Sequence, residues 1–306
     1  MPDPKRPSET LQDVSQTDTG ASLNSLRLTM TSKSDLWDEY KLEKPLGSGS
    51  FGVVRSVTCR TSKKSYAAKT VRLNEDDPEC LMVSLEHPHI LRLHRILEDR
   101  GEMHFILDLC SGGDLQTWIE ESYEEDFEGL RVYGQPGTSK VAEMGRQMLS
   151  AVAYLHERSI AHRDVKPQNW MVACHGFYPQ LKLSDFGLAC RHQDGEVMTE
   201  KCGSTMYMAP EVFQRSYTAL CDVWGTGLTL NDLVCGTPLF AKIPEAALEA
   251  AVSAPIKLPQ IHWKYQKPWL QDLVMQLLVP EKSRLPAAEA LERIDGHSAK
   301  CGCHVS

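Results

Sequence analysis

The stretch "AHRDVKPQNW", residues 161–170, places an acid, a base and an amide, Asp164, Lys166 and Asn169, within six positions. Pointing into one site, the three can handle a hydroxyl, a phosphate and a metal ion, so the rest of the chain must be read for the other parts of such a site. Five specified residues, His162, Arg163, Asp164, Lys166 and Asn169, at about 5% each predict on the order of one chance match in ten thousand chains of this length. Taken singly, each is an ordinary satisfied polar residue.

Read outward, the chain supplies candidate parts. "DFG" begins at Asp185, sixteen residues after Asn169, and "APE" follows at Ala209–Glu211. Upstream, "LGSGSFGVV" (46–54) sets Gly47, Gly49 and Gly52 between two strand-like runs. A hairpin tip without side chains brings backbone N–H groups close to phosphate oxygens. Three glycines so spaced nevertheless turn up by chance in roughly one chain in ten, and a plain turn is the simpler explanation. Lys69, seventeen residues after Gly52 at the end of "YAAK", adds weight, because the neighbouring strand can present its ammonium beneath the loop. A lone strand lysine is otherwise a solvated edge charge.

Composition narrows the classes. A chain of 306 residues can bury two lobes around a cleft. Its net charge of -8 argues against a nucleic-acid partner and leaves room for a cationic one. No apolar run approaches the roughly 18 residues of a membrane span. The N-terminus lacks a secretory h-region and a glycine after Met1, so a cytoplasmic location is expected. The ten cysteines are scattered and read mostly as reduced core thiols.

Residues 1–34, rich in Ser, Thr, Asp and Pro, have the composition of a disordered tail. From "WDEYKLEKPLGSGSFGVVRSVTC" through "KSYAAKTVRL" to "MHFILDLC" the pattern predicts strands of a small antiparallel sheet. Beyond residue 114, "SKVAEMGRQMLSAVAYLHERS", "CDVWGTGLTLNDLVCG" and "PWLQDLVMQLLV" repeat apolar residues at three and four, which predicts packed helices.

In order and spacing these four motifs resemble those of the eukaryotic protein kinases. Through "HPHILRLHRILEDRGEMHFILDLCSGGDL", "LSAVAYLHERSIAHRDVKPQN" and "MYMAPEV" the chain looks most like the calmodulin- and calcium-dependent serine/threonine group. The resemblance implies an α+β bilobal fold: a small antiparallel sheet with one helix over a larger, mostly helical lobe. A catalytic domain over 40–297 is expected, its smaller lobe about 40–110 and its larger about 111–297, with a short tail at 298–306.

The same resemblance implies ATP and Mg2+ as cofactors and protein Ser/Thr hydroxyls as acceptors. Asp164 then accepts the hydroxyl proton, Lys166 neutralises the transferred phosphoryl group, and Asn169 and Asp185 hold the metal. Lys69 grips the α- and β-phosphates, covered by Gly47, Ser48, Gly49, Ser50, Phe51, Gly52, Val53 and Val54. Leu46, Val54, Ala67 and Met171 sandwich the adenine. Leu107 is the gatekeeper, Asp108 and Cys110 offer hinge backbone groups, and Asp114 meets the ribose. Ser204 fits a hydroxyl that contacts Asp164 and Lys166. Glu211 with Arg284, and Asp222 beneath the catalytic loop, fit architectural places.

Departures from the pattern bear on activity. Lys69 and Pro88 are only nineteen positions apart, which leaves a shortened helix, 78–86, to supply the glutamate that holds Lys69. With Asp77 as N-cap and Pro78 at the first helical position, Glu79 is the expected partner, and Glu75 and Glu86 are alternatives. If Glu79 merely favours the helix dipole, Lys69 is unclamped, and the chain becomes a nucleotide-binding pseudokinase scaffold. The presence of Lys69, Asp164, Asn169 and Asp185 together weighs against that.

Glu200, three before Gly203, can pair with Arg163 without phosphorylation, with Thr199 as the alternative phosphosite. "IEESYEEDFEG" reads as a solvated loop or an attractor of basic substrates. Gln168 stands where arginine-selecting relatives carry Glu. No calcium loop of the form D-x-[DN]-x-[DN]-G occurs. "CHVS" at the C-terminus can be read as a lipidation box, with Cys303 prenylated, Cys301 a second acylation site, and membrane association only in that case. A monomer is expected.

Overall fold

The computed structural model describes residues 31–33, 36–49, 52–72, 77–125, 131–133, 136–174, 179–193 and 195–300. Strands β1 (Thr31–Lys33), β2 (Tyr40–Gly49), β3 (Gly52–Cys59), β4 (Ser65–Arg72), β5 (Leu93–Asp99) and β6 (Glu102–Leu107) form one sheet in the order β1-β5-β6-β4-β3-β2. Side chains alternate across a strand, and here both faces are covered. One face carries Ala67, Ile96, Met103, Phe105 and Leu107 into the main core. The other packs Val57, Ala68, Leu97 and Ile106 against Tyr40 and against Leu36 of the short helix α1 (Leu36–Glu39).

Two expectations for this lobe are corrected. Residues 31–33, placed by composition in a tail, form β1, which pairs parallel to β5 with Thr31 opposite Ile96. An open strand edge offers unpaired backbone groups, and even a polar segment can satisfy them. Residues 1–30 and 34 of that expected tail lie outside the described residues. The helix expected over 78–86 is instead a 310 helix, Pro78–Ser84. Its start is as read: Asp77 Oδ1 accepts from Glu79 N at 2.9 Å, with Pro78 in the first turn.

The larger lobe contains α2 (Leu115–Ser122), α3 (Thr138–His156), α4 (Pro210–Phe213), α5 (Leu220–Cys235), α6 (Glu245–Ser253), α7 (Gln260–Trp263), α8 (Pro268–Leu277) and α9 (Ala287–Lys300). Small antiparallel pairs accompany them: β7 (Glu124–Glu125) with β8 (Arg131–Tyr133), β9 (Ile160–Ala161) with β12 (Cys190–Arg191), and β10 (Trp170–Cys174) with β11 (Gln180–Leu183). The acidic run read as a loop thus begins in helix α2 and contains β7; its residues 126–129 lie outside the described residues. Helix α9 continues into the segment expected to be a C-terminal tail, as far as Lys300. Cys301 and Cys303 lie outside the described residues.

Helix α5 organises this lobe. From Cys221 to Cys235 every residue is buried, the condition of a helix that is apolar on all sides. Several of its polar side chains bond within the core: Thr226 and Thr229 donate to Asp222 O (2.9 Å) and Gly225 O (2.8 Å), and Asn231 Oδ1 accepts from Trp263 Nε1 at 3.1 Å. The helix stops at Gly236, whose φ of +72° is the left-handed end that glycine adopts at no steric cost. No room exists for a side chain there, since a Cβ would stand 2.8 Å from the Tyr123 ring.

Candidate active site

The catalytic loop is held from below by a buried carboxylate. Asp222 of α5 accepts from the backbone N–H groups of His162 (2.9 Å) and Arg163 (2.8 Å) and bonds His156 Nε2 at 3.0 Å. Burial alone would raise this carboxyl, but the His156 hydrogen bond and charge lead the interactions that outweigh it and hold it below the ordinary range. His162 in turn bonds Ser184 O through Nε2 at 2.9 Å and meets the Phe186 ring edge-on, centroids 4.9 Å apart.

On this support Asp164 faces a set of donors. Its Oδ1 accepts from Ser204 N (2.8 Å), and its Oδ2 accepts from Lys166 Nζ (2.7 Å) and Asn169 Nδ2 (3.0 Å). Lys166 Nζ also donates to Ser204 Oγ at 2.6 Å. Burial pushes the Asp164 carboxyl up, yet Lys166 and then Ser204 pull harder and leave it below the usual carboxylate value. The group is therefore an anion at neutral pH. The Asn169 amide nitrogen is used up on Asp164, also donating to its backbone O at 2.8 Å, so the amide oxygen is the atom left to act as a ligand.

Lys69 and Asp185 approach from the other side. Lys69 Nζ donates to Asp185 Oδ1 at 2.9 Å and forms a buried ion pair with Glu79. Burial disfavours the ammonium, but Glu79 and Asp185 together hold Lys69 above its ordinary value. Burial also pushes the Glu79 carboxyl up to about 7, against the opposing pull of Lys69. Glu79 Oε2 is buried and has no hydrogen-bond partner among the described residues. Asp185 has a φ of +59°, a conformation sparsely populated by non-glycine residues that is retained at functional sites.

These groups border a cleft of about 430 Å³ between the lobes. Of the residues expected there, Leu46, Gly47, Gly52, Val54 and Ala67 line it from above. Lys69, Glu79, Leu107, Asp108 and Cys110 line its wall, and Lys166, Asn169, Met171 and Asp185 its floor. Asp164 stands beside it, against Ser204 and Cys202. Val53 does not line it: strand alternation turns Val54 inward and leaves Val53 42% exposed. Asp114 is not among the lining residues; its Oδ1 caps α2 by accepting from Thr117 N at 2.9 Å, and its backbone bridges to Met171 of the floor. Ser48 and Gly49 end β2, and Ser50 and Phe51 lie outside the described residues.

Met82, Leu91, Leu109, Gln168 and Ser184 also border the cleft and were not anticipated. For Met82 a signal existed. Residues three apart lie on one face of an α- or a 310 helix alike, so Glu79 and Met82, both buried, share a face. The alternative Glu86 instead pairs with Arg92 at 3.4 Å on the exposed surface, and Glu75 lies outside the described residues.

The donor set fits magnesium and a nucleotide. Among the described residues no group of three or more His, Cys, Asp or Glu could cage a metal. Magnesium bound through one or two carboxylates and substrate phosphates requires none. Asn169 and Asp185 supply two hard oxygens, Lys69 and Lys166 two cations, and Leu46, Val54, Ala67 and Met171 an apolar slot for a base.

The protein kinase domain family model matches residues 40–293, and the chain belongs to that family. Its relatives include calcium-dependent protein kinase 29 of Arabidopsis thaliana, 30% identical over 84% of this chain and 49% of that protein. Calcium-dependent protein kinase 12 of Oryza sativa subsp. japonica is 32% identical over 83% of this chain and 48% of that protein. The chain thus spans about half the length of the curated relatives it matches.

Proposed function

We propose that this chain is a serine/threonine protein kinase that transfers the γ-phosphate of ATP to a protein hydroxyl. The observation that carries this reading is the closed set of contacts Glu79–Lys69–Asp185 on one side and Lys166–Asp164–Asn169 on the other. When bound, MgATP supplies the phosphoryl group and much of the charge neutralisation. Lys69 would hold its α- and β-phosphates, and Asn169 and Asp185 would hold the metal. Asp164, kept ionised by Lys166 and Ser204, orients the acceptor hydroxyl and takes its proton. Lys166 is placed to balance charge on the transferred group. The pseudokinase reading rested on an unclamped Lys69, and the Glu79 pair removes that ground.

Arg163 Nη1 donates to Glu200 Oε2 at 2.9 Å, which supports basal activity without phosphorylation of the activation segment, residues 188–208 between DFG and APE. Gln168 faces Gln116 at 3.4 Å where a second carboxylate would read arginine, so we assign a loose rather than strict basic preference. No disulfide forms among the described cysteines, which favours a reducing, cytosolic setting, and the chain is taken to act as a monomer.

The test is magnesium-dependent transfer of labelled γ-phosphate to a mixed basic peptide, for this chain beside Asp164→Asn. Transfer is expected in the wild type and should fall about 10²- to 10⁴-fold in the variant, with MgATP still bound. A wild type that binds MgATP but transfers nothing would restore the scaffold reading.

A further inference from the structure

Behind the hinge, on the side away from the cleft, lies a second cavity of about 420 Å³ bordered by Tyr66, His94, Asp108 and Lys182. Asp108 borders both cavities, whereas His94 and Lys182 border only the outer one. Its carboxylate is bound on the outer side: Oδ1 to His94 Nε2 at 2.7 Å and Oδ2 to Lys182 Nζ at 3.2 Å. What Asp108 presents to the cleft is therefore its main chain. That main chain is fixed a second time, because Asp108 N donates to Arg92 O at 3.1 Å.

The three residues come from three parts of the fold. His94 is the extra residue of a bulge in β5, between Leu93 and Arg95. Bulges re-aim a side chain, and this one directs the ring to the hinge, where Tyr66 of β4 backs it edge-on at 5.0 Å. Lys182 belongs to β11 of the larger lobe and lies opposite Met171, on the cleft floor. Asp108 thus gives one carboxylate oxygen to each lobe. Charge-assisted hydrogen bonds are the strong ones. A hinge held before a ligand arrives loses less conformational freedom on binding.

We propose that His94, Asp108 and Lys182 form a clasp that positions the hinge, and that it sets nucleotide affinity through the main chain of Asp108 without entering the phosphotransfer chemistry. This rests on the nucleotide-binding reading of the cleft. His94 and Lys182 are positioning residues, since neither touches the cleft.

The experiment measures MgATP Kd by direct titration, together with kcat and KM, for the full chain and four variants. Lys182→Met should weaken MgATP about fivefold with kcat within about twofold, and Lys182→Arg should restore most of the affinity. His94→Leu should weaken binding similarly. The double variant Lys182→Met/His94→Leu should lose less than the product of the two, because both act on one carboxylate. An unchanged Kd in Lys182→Met and His94→Leu, multiplicative losses, or a loss of kcat at constant Kd would overturn the clasp while leaving the kinase reading intact. A wild type that binds no MgATP would overturn both.

Discussion

Glu79 reaches Lys69 from a helix of only seven residues. A 310 helix rises about 2.0 Å per residue against about 1.5 Å for an α-helix, so the tighter coil recovers some of the length that the short segment lacks. It also stacks Glu79 and Met82 on one buried face. The glutamate and its N-cap were legible from the sequence, but the helix type was not, because the choice between α and 310 depends on the space between β4 and β5. Glu79→Gln keeps the shape and removes the charge. We expect kcat to fall about 10- to 100-fold, the scale of a misplaced positioning group, with MgATP affinity within about threefold, since Asp185 still contacts Lys69. An unchanged kcat in steady-state assays would mean that Asp185 alone orients the lysine.

At the scale of elements, the activation segment is tied to the catalytic loop by Arg163, itself at φ +66°. Arg163 Nε donates to Leu188 O at 2.7 Å, and Tyr217 OH donates to Glu200 O at 2.7 Å. The acidic partner could be found by counting back from Gly203; Tyr217 could not, since nothing local to it points toward residue 200. The Glu200 side chain is 67% exposed, and exposed ion pairs contribute about 0–1 kcal/mol. Glu200→Gln should therefore lower peptide phosphorylation only about two- to fivefold, and phosphatase treatment of the wild type should leave its activity unchanged. A phosphatase-sensitive wild type would transfer the ordering role to a phosphorylated residue such as Thr199.

Across the whole molecule, the segment after the cleft is anchored by a buried ion pair. Arg284 and Glu211 bond in a two-point arrangement, Nη2 to Oε2 at 3.1 Å, and Arg284 also donates to Leu220 O (2.9 Å) and Val279 O (2.9 Å from Nη2). Removing one partner leaves an uncompensated charge in the core, which costs about 3–5 kcal/mol. Arg284→Met and Glu211→Gln should each lower the urea midpoint accordingly, and the double variant should lose less than the sum. Additive losses would show that the two residues stabilise the fold separately.

The sequence by itself determined the class of site, because phosphotransfer needs a base, a cation and metal ligands whose spacing no structural requirement reproduces. It also indicated a strand-rich part followed by a helical one, through strand alternation up to about residue 110 and helical periodicity beyond 114, and its resemblance to a known family implied the bilobal α+β fold. Only the tertiary structure decided which way side chains near the cleft turn. Strand pleating sends Val53 out, capping of α2 occupies Asp114, and a bulge at His94 directs its ring to the outer face of the hinge. Such outcomes depend on neighbours distant in the chain, and local pattern carries no record of them.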